Sequence, residues 1–205
     1  MACYHKFIDD LYIGYAKDWN PEILIVGTFN PEWTDNNSAN WFYGRTENNY
    51  FWKVLPELFG EKSMLCCNKV EWENFCKEHK IAITDLIECI ITADKEVHRN
   101  IINGFSDKAI EDNFPSKELT TVTIIDIIVN TPTIKHVYLT RGASQGLWKK
   151  LWYPVKEYCK QNNIYCEELL TPSGYAFYQY RKEERKKYDS LSTFILARWK
   201  EKWKK

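Results

Sequence analysis

The stretch ILIVGTFNPEW, Ile23–Trp33, runs four apolar, mostly β-branched residues into Gly27 and then hands the chain to Asn30 in front of Pro31. A short continuous apolar run stopped by glycine suits a strand covered on both faces, as in a parallel sheet. Three further runs resemble it: IAITDL (Ile81–Leu86), KHVYLT (Lys135–Thr140) and IYCEELL (Ile164–Leu170). The last alternates, which suits an edge strand. Helical patterns separate the runs, so the expected fold class is α/β. The expected architecture is a three-layer sandwich, with a four-stranded, mainly parallel central sheet flanked by helices and joined by right-handed crossovers. In such sheets ligands bind beyond the carboxyl ends of the strands. Gly27–Pro31 is therefore where a site is expected. Gly27 permits a tight turn or a close approach. Pro31 restricts Asn30 to an extended backbone, which aims an amide that can both donate and accept hydrogen bonds.

Working outward, NNYFWKVLPELFG predicts a helix closed by Gly60, and a second helix is expected over Asn74–His79. SKELTTVTIIDIIVN predicts a helix capped by Ser116. ASQGLWKKLWYPVKEYCKQNN predicts another, with Ser144 as its cap. The last segment, about residues 181–205, predicts a basic amphipathic helix with Tyr188, Leu191, Phe194, Ile195, Trp199 and Trp203 along one stripe. The whole chain is expected to form one domain of 205 residues.

Hydrophobic residues make up 44% and charged residues 27%, ordinary values for a globular protein. Aromatics reach 16%, with nine Trp and thirteen Tyr, which calls for either an aromatic core or flat stacking surfaces. No apolar run approaches the roughly 20 residues of a spanning helix, and MACYHKFIDD lacks a signal-peptide pattern. The expectation is a cytoplasmic monomer, nucleoid-associated in a prokaryote or nuclear in a eukaryote, with no membrane partner. Formal net charge is zero, yet residues 181–205 hold ten Lys/Arg against four Asp/Glu. That basic segment either faces phosphates or is the solvated face of a helix. Seven cysteines without a secretion pattern read as reduced thiols. Cys66, Cys67, Cys76 and Cys89 contain no CxxC pair, so buried thiols are preferred to a metal cluster, and no metal or cofactor is expected.

Four stretches in this order resemble the uracil-DNA glycosylase superfamily, nearest its mismatch-specific (G·T/U) and hypoxanthine-DNA glycosylase branches. They are Gly27-Thr28-Phe29-Asn30-Pro31; Tyr43-Gly44 followed by Asn49-Tyr50-Phe51-Trp52; VYLTRGASQG between the third strand and its helix; and Thr171-Pro172-Ser173-Gly174 after the last strand. The resemblance implies a monofunctional glycosylase that hydrolyses the N-glycosidic bond of uracil or hypoxanthine in DNA carrying a damaged or mismatched base. It implies that Asn30 positions a water and that Phe51 stacks on the flipped base. The loop Gly27, Thr28 and Phe29 would offer backbone N–H groups to the base, with Tyr43 and Asn49 beside it. Pro172, Ser173, Gly174 and Tyr175 would enter the duplex, Ser173 at a phosphate and Tyr175 as the wedge. Thr171 stands where the family has His or Asn. Losing such a donor costs roughly 2–4 kcal/mol in other enzymes. The first motif is one residue longer between Gly and Asn than the mismatch-specific pattern. Glu32 stands where that branch has Gly, and would either repel phosphate or serve as a base.

Two other readings use the same residues. GASQG, Gly142–Gly146, fits a nucleophile elbow around Ser144, but all four histidines precede it, against the order that hydrolases of that fold require. A noncatalytic protein on the glycosylase scaffold, binding nucleic acid or a nucleotide, is the second.

Overall fold

The computed structural model describes residues 1–33, 38–44, 48–104, 106–182 and 187–204. Residues 45–46 of the FYGRT stretch, and 183–186 and 205 of the basic segment, lie outside the described residues. The strands are β1 (Cys3–Tyr4), β2 (Ile23–Gly27), β3 (Ile81–Asp85), β4 (Ile87–Ile90), β5 (Leu119–Thr121), β6 (His136–Leu139) and β7 (Tyr165–Glu168). The helices are α1 (Phe51–Leu58), α2 (Lys69–Glu78), α3 (Lys95–Asn103), α4 (Asp107–Asn113), α5 (Ile124–Asn130), α6 (Gly146–Gln161), α7 (Phe177–Lys182) and α8 (Leu191–Lys202).

The central sheet has the order β3-β2-β6-β7, and every pairing in it is parallel. β2 and β3 are buried along their whole length, as their unbroken apolar runs require. β7 lies at the edge and is half-buried throughout. With helices packed against this sheet, the fold is the expected α/β sandwich. The register sets Gly27 opposite Asp85 and Leu139 opposite Glu168, so these strands finish at a common level.

A second sheet, antiparallel and ordered β1-β4-β5, has no counterpart in the sequence expectations. Its strands are two to four residues long, too short to show an alternation. The apolar run from Ile81 crosses from one sheet to the other at Leu86, whose N–H donates to Gly27 O while Ile87 N–H donates to Thr28 O. The helix expected from Ser116 divides likewise into a 3-10 turn (Ser116–Glu118), β5 and α5. Its β-branched run Thr120-Thr121-Val122-Thr123 loses side-chain freedom in a helix. Pairing of Leu119 with Ile90 and of Thr121 with Ile87 decides it. Ser116 is no helix cap; its hydroxyl accepts from Lys150.

Local signals set the helix ends. α1 closes in a Schellman motif: Gly60, at φ 78°, donates to Glu57 O and Glu61 to Pro56 O. α2 starts earlier than expected, at a capping box between Asn68 and Glu71. α6 is capped from outside, because Leu147 N–H donates to the Glu111 carboxylate at 2.7 Å. Ser144 is exposed and caps nothing.

The aromatic surplus is mostly core. Trp41, Trp52, Trp72, Trp148, Trp152 and Trp199 are all fully buried. Trp52 stacks on Trp72 with centroids 5.1 Å apart. α8 turns its stripe inward: Phe194, Ile195 and Trp199 are buried, and Trp199 Nε1 donates to Leu170 O. All seven cysteines are free thiols. Among the described residues the one close grouping of three metal-ligating side chains is Glu61, Glu78 and His79, and none of these lines the cleft described next. No helix among the described residues is long and apolar enough to cross a membrane.

Candidate functional site

A cleft of about 870 Å³ opens where β2, β3, β6 and β7 end. Thr28, Phe29 and Asn30 line it after β2, and Asp85 lines it at the end of β3. Thr140 and Arg141 follow β6, and Leu169–Tyr175 follow β7. The strand ends thus bring together motifs that are distant in sequence.

Asp85 is a buried charged group in this cleft. Its carboxylate packs against the Cα of Gly27; a β-carbon there would collide with Asp85 Oδ1 and come within 2.6 Å of the Tyr43 hydroxyl. Close approach, and not a positive φ, is why position 27 needs glycine. Asp85 is 5% exposed, and its Oδ2 lies 2.7 Å from Nε2 of buried His5. The backbone N–H of Phe7 donates to His5 Nδ1 at 3.0 Å. That bond makes Nδ1 the acceptor, so the ring hydrogen is on Nε2 and is donated to Asp85. The residues just after β1 also hold the asparagine loop: Lys6 N–H donates to Asn30 O at 2.7 Å, and His5 forms an isolated bridge with Pro31.

Tyr43 lies on the other side of Asp85, at a left-handed φ of 55°. Thr140 Oγ1 donates to Val26 O, so the Tyr43 hydroxyl 2.7 Å away donates to Thr140. Burial, with the charge of Asp85 adding to it, pushes the Tyr43 hydroxyl well above its ordinary pKa and keeps that proton in place. The Tyr43 ring stacks on Phe51, with centroids 3.8 Å apart and planes 8° from parallel.

The second and third motifs are bonded through the backbone. Tyr50 N–H donates to Pro172 O, Gly174 N–H donates to Asn48 O, and Asn49 bridges Ser173. The Asn49 side chain accepts from Phe51 N–H ahead of α1. Thr171 Oγ1 and Ser173 Oγ are 3.0 Å apart, and Ser173 Oγ accepts from Tyr175 N–H. Tyr175 projects outward, 56% exposed, next to Tyr178 at 68%.

The glycosylase-type candidates read from the sequence line the cleft except Gly27, Phe51 and Glu32, and Ser144 of the alternative reading does not line it either. Gly27 lies beneath Asp85. Phe51 is fully buried, and Tyr43 covers its face, so of this stacked pair it is Tyr43 that lines the cleft. Glu32 is not in the cleft; its carboxylate accepts from Tyr4 N–H at the edge of β1. Sequence reasoning missed His5, Asp85, Asp107 and Arg141. Asp85 did leave a signal, as the charge that closes the apolar run IAITD, where a charge needs a partner. His5 left none. Asp107 Oδ2 lies 2.7 Å from Arg141 Nη1, and the Arg141 guanidinium lies 4.2 Å from the Trp148 ring centre.

The fold and cleft define a class: an α/β sandwich holding polar groups at the carboxyl ends of four parallel strands. No family model matches the chain, and no curated protein matches it. Among solved structures, it resembles the solution NMR structure of a Methanosarcina acetivorans protein named "putative Uracil DNA glycosylase". The TM-score is 0.51 at 14% identity, over 89% of this chain and 93% of that one. The likeness is one of fold.

Proposed function

We propose that the chain hydrolyses the N-glycosidic bond of a deaminated or mismatched base, uracil or hypoxanthine, in DNA. One observation carries this reading: Asn30 after β2, Tyr43, and Thr171–Tyr175 after β7 line a single cleft in a glycosylase-like fold. A cleft of about 870 Å³ accepts a base flipped out of the helix. Tyr43, backed by Phe51, supplies the aromatic ring beside it. Asn30 holds the attacking water, and the Thr171 hydroxyl donates to the base oxygen as charge develops there. Ser173 meets a phosphate, and exposed Tyr175 fills the gap in the stack. Arg198 and Lys202 of α8, which also line the cleft, draw the phosphate backbone in.

Duplex oligonucleotides carrying single uracil, hypoxanthine or xanthine lesions, followed by alkali cleavage, test the proposal. Asn30→Ala is expected to lower excision about 100-fold while DNA affinity holds, because removing one preorganised polar group costs about that much. Full activity in Asn30→Ala removes Asn30 from the mechanism. The second reading, a noncatalytic nucleic-acid binder, is favoured by Thr171, an uncharged hydroxyl already within 3.0 Å of Ser173 Oγ. Salt-dependent DNA binding without excision of any lesion decides for it.

A further inference from the structure

We infer that Asp107 is the catalytic base of this cleft, the group that takes the proton from the attacking water. The inference rests on the proposed excision and supplies what that reading lacks. The Asn30 amide orients a water but has no basic lone pair to receive its proton.

Asp107 opens α4, lines the cleft and keeps 34% of its side chain exposed. It is held from two directions. Thr28, two residues before Asn30, hydrogen-bonds to its carboxylate. Arg141, just after β6, pairs with Oδ2 at 2.7 Å. Arg141 is itself anchored, because its Nε donates to Gly142 O and its guanidinium lies over Trp148. The carboxylate is therefore tied to the loop that carries Asn30 and is still open to the cleft.

The charged groups facing Asp107 are Arg141, Asp85 and Glu111. Burial raises the Asp107 carboxyl above its ordinary pKa; Arg141 and the Thr28 bond oppose this, while Asp85 and Glu111 add to it. A carboxylate tuned upward is a stronger base. The other two carboxylates are occupied. Asp85 is almost wholly buried and holds His5, and Glu111 caps α6.

The step balances. The water oxygen bonds to the anomeric carbon, and the carbon–nitrogen bond breaks with its electron pair leaving on the base. The water's proton passes to Asp107 and on to solvent, and the departing base takes a proton from solvent.

Single-turnover excision is measured against pH on a lesion that the wild type removes. The rate is expected to rise with pH through a pKa above the ordinary aspartate value of about 3.9. Asp107→Asn is expected to lower the rate about 100-fold and flatten that acid limb, with DNA affinity kept. Arg141→Gln removes the cation that favours the carboxylate, so it is expected to move the limb to higher pH. Thermal unfolding shows whether each variant folds, and the Arg141→Gln shift stands as the test if Asp107→Asn does not. A wild-type rate in folded Asp107→Asn overturns the inference. So does an unmoved limb in Arg141→Gln, or a limb lost in Asp85→Asn and kept in Asp107→Asn. In those cases excision itself survives, whereas a wild type that removes no lesion overturns the excision reading and this inference together.

Discussion

Phe51→Ala is expected to lower stability by about 3–5 kcal/mol, the range for deleting a large buried aromatic side chain. Phe51 is 0% exposed at the first position of α1. Its ring is held by Tyr43 at 3.8 Å, Trp52 at 5.0 Å and Trp199 at 6.0 Å between centroids. Those neighbours come from the Tyr43 turn, α1 and α8, so the void left behind has no single flexible wall to collapse into it. Tyr43 also loses the surface that backs it, and with it the alignment of its hydroxyl on Thr140. Urea unfolding checks this: the midpoint falls while the slope is unchanged if the loss is one of packing. A Phe51→Ala protein of wild-type stability that has lost excision points the other way. It makes Phe51 itself the stacking platform, reached by a movement of Tyr43.

His5→Ala is expected to destabilise by a similar amount, about 3–5 kcal/mol, the range for removing one partner of a buried ionisable pair. His5 is 1% exposed and Asp85 5%. Without the ring, Asp85 keeps its place against Gly27 but loses the donor to Oδ2. The aromatic neighbours Phe7, Phe29 and Phe42, all within 6 Å of the imidazole by centroid, lose a packing partner as well. A double-mutant cycle with Asp85→Ala separates the two losses. The double variant is expected to be more stable than the sum of the single changes implies, because removing both members leaves no orphaned charge. Strict additivity shows that the pair is uncoupled and that packing alone accounts for the His5 effect. Excision read alongside stability shows whether the Asn30 loop, tied through Lys6 N–H to the segment that carries His5, shifts with it.

Strand runs and motif order carried much of the fold into view. Unbroken apolar runs mark strands covered on both faces, and a glycine at their end marks a loop above the sheet; β2 follows this rule residue by residue, and β3 is buried on both faces but ends in Asp85. Where the pattern failed, length and pairing explain it. A two-residue strand such as β1 has no periodicity to read. Ser116–Asn130 has helical spacing in its second half, yet its first half finds a better partner in β4. Ser144 fits an N-cap by position, but the Glu111 carboxylate from α4 reaches the α6 N–H group first. The resemblance implies that Phe51 stacks on the flipped base, but an aromatic residue beside a site motif reads the same whether it faces in or out. Only the stacking of Tyr43 upon it separates the two.

Local sequence by itself determined the strands, the glycine turn after β2 and the asparagine held before Pro31. Each depends on backbone preferences and periodicity that act over a few residues. Tertiary structure alone decided which charges meet in the cleft. His5 and Asp85 are 80 positions apart. Asp107 meets Thr28, 79 positions earlier, and Arg141, 34 positions later, only in the folded chain. Such pairs form because a buried carboxylate must find a partner within hydrogen-bonding reach. Which partner it finds is set by the strand order of the sheet, a property of the folded chain that no local window of residues contains.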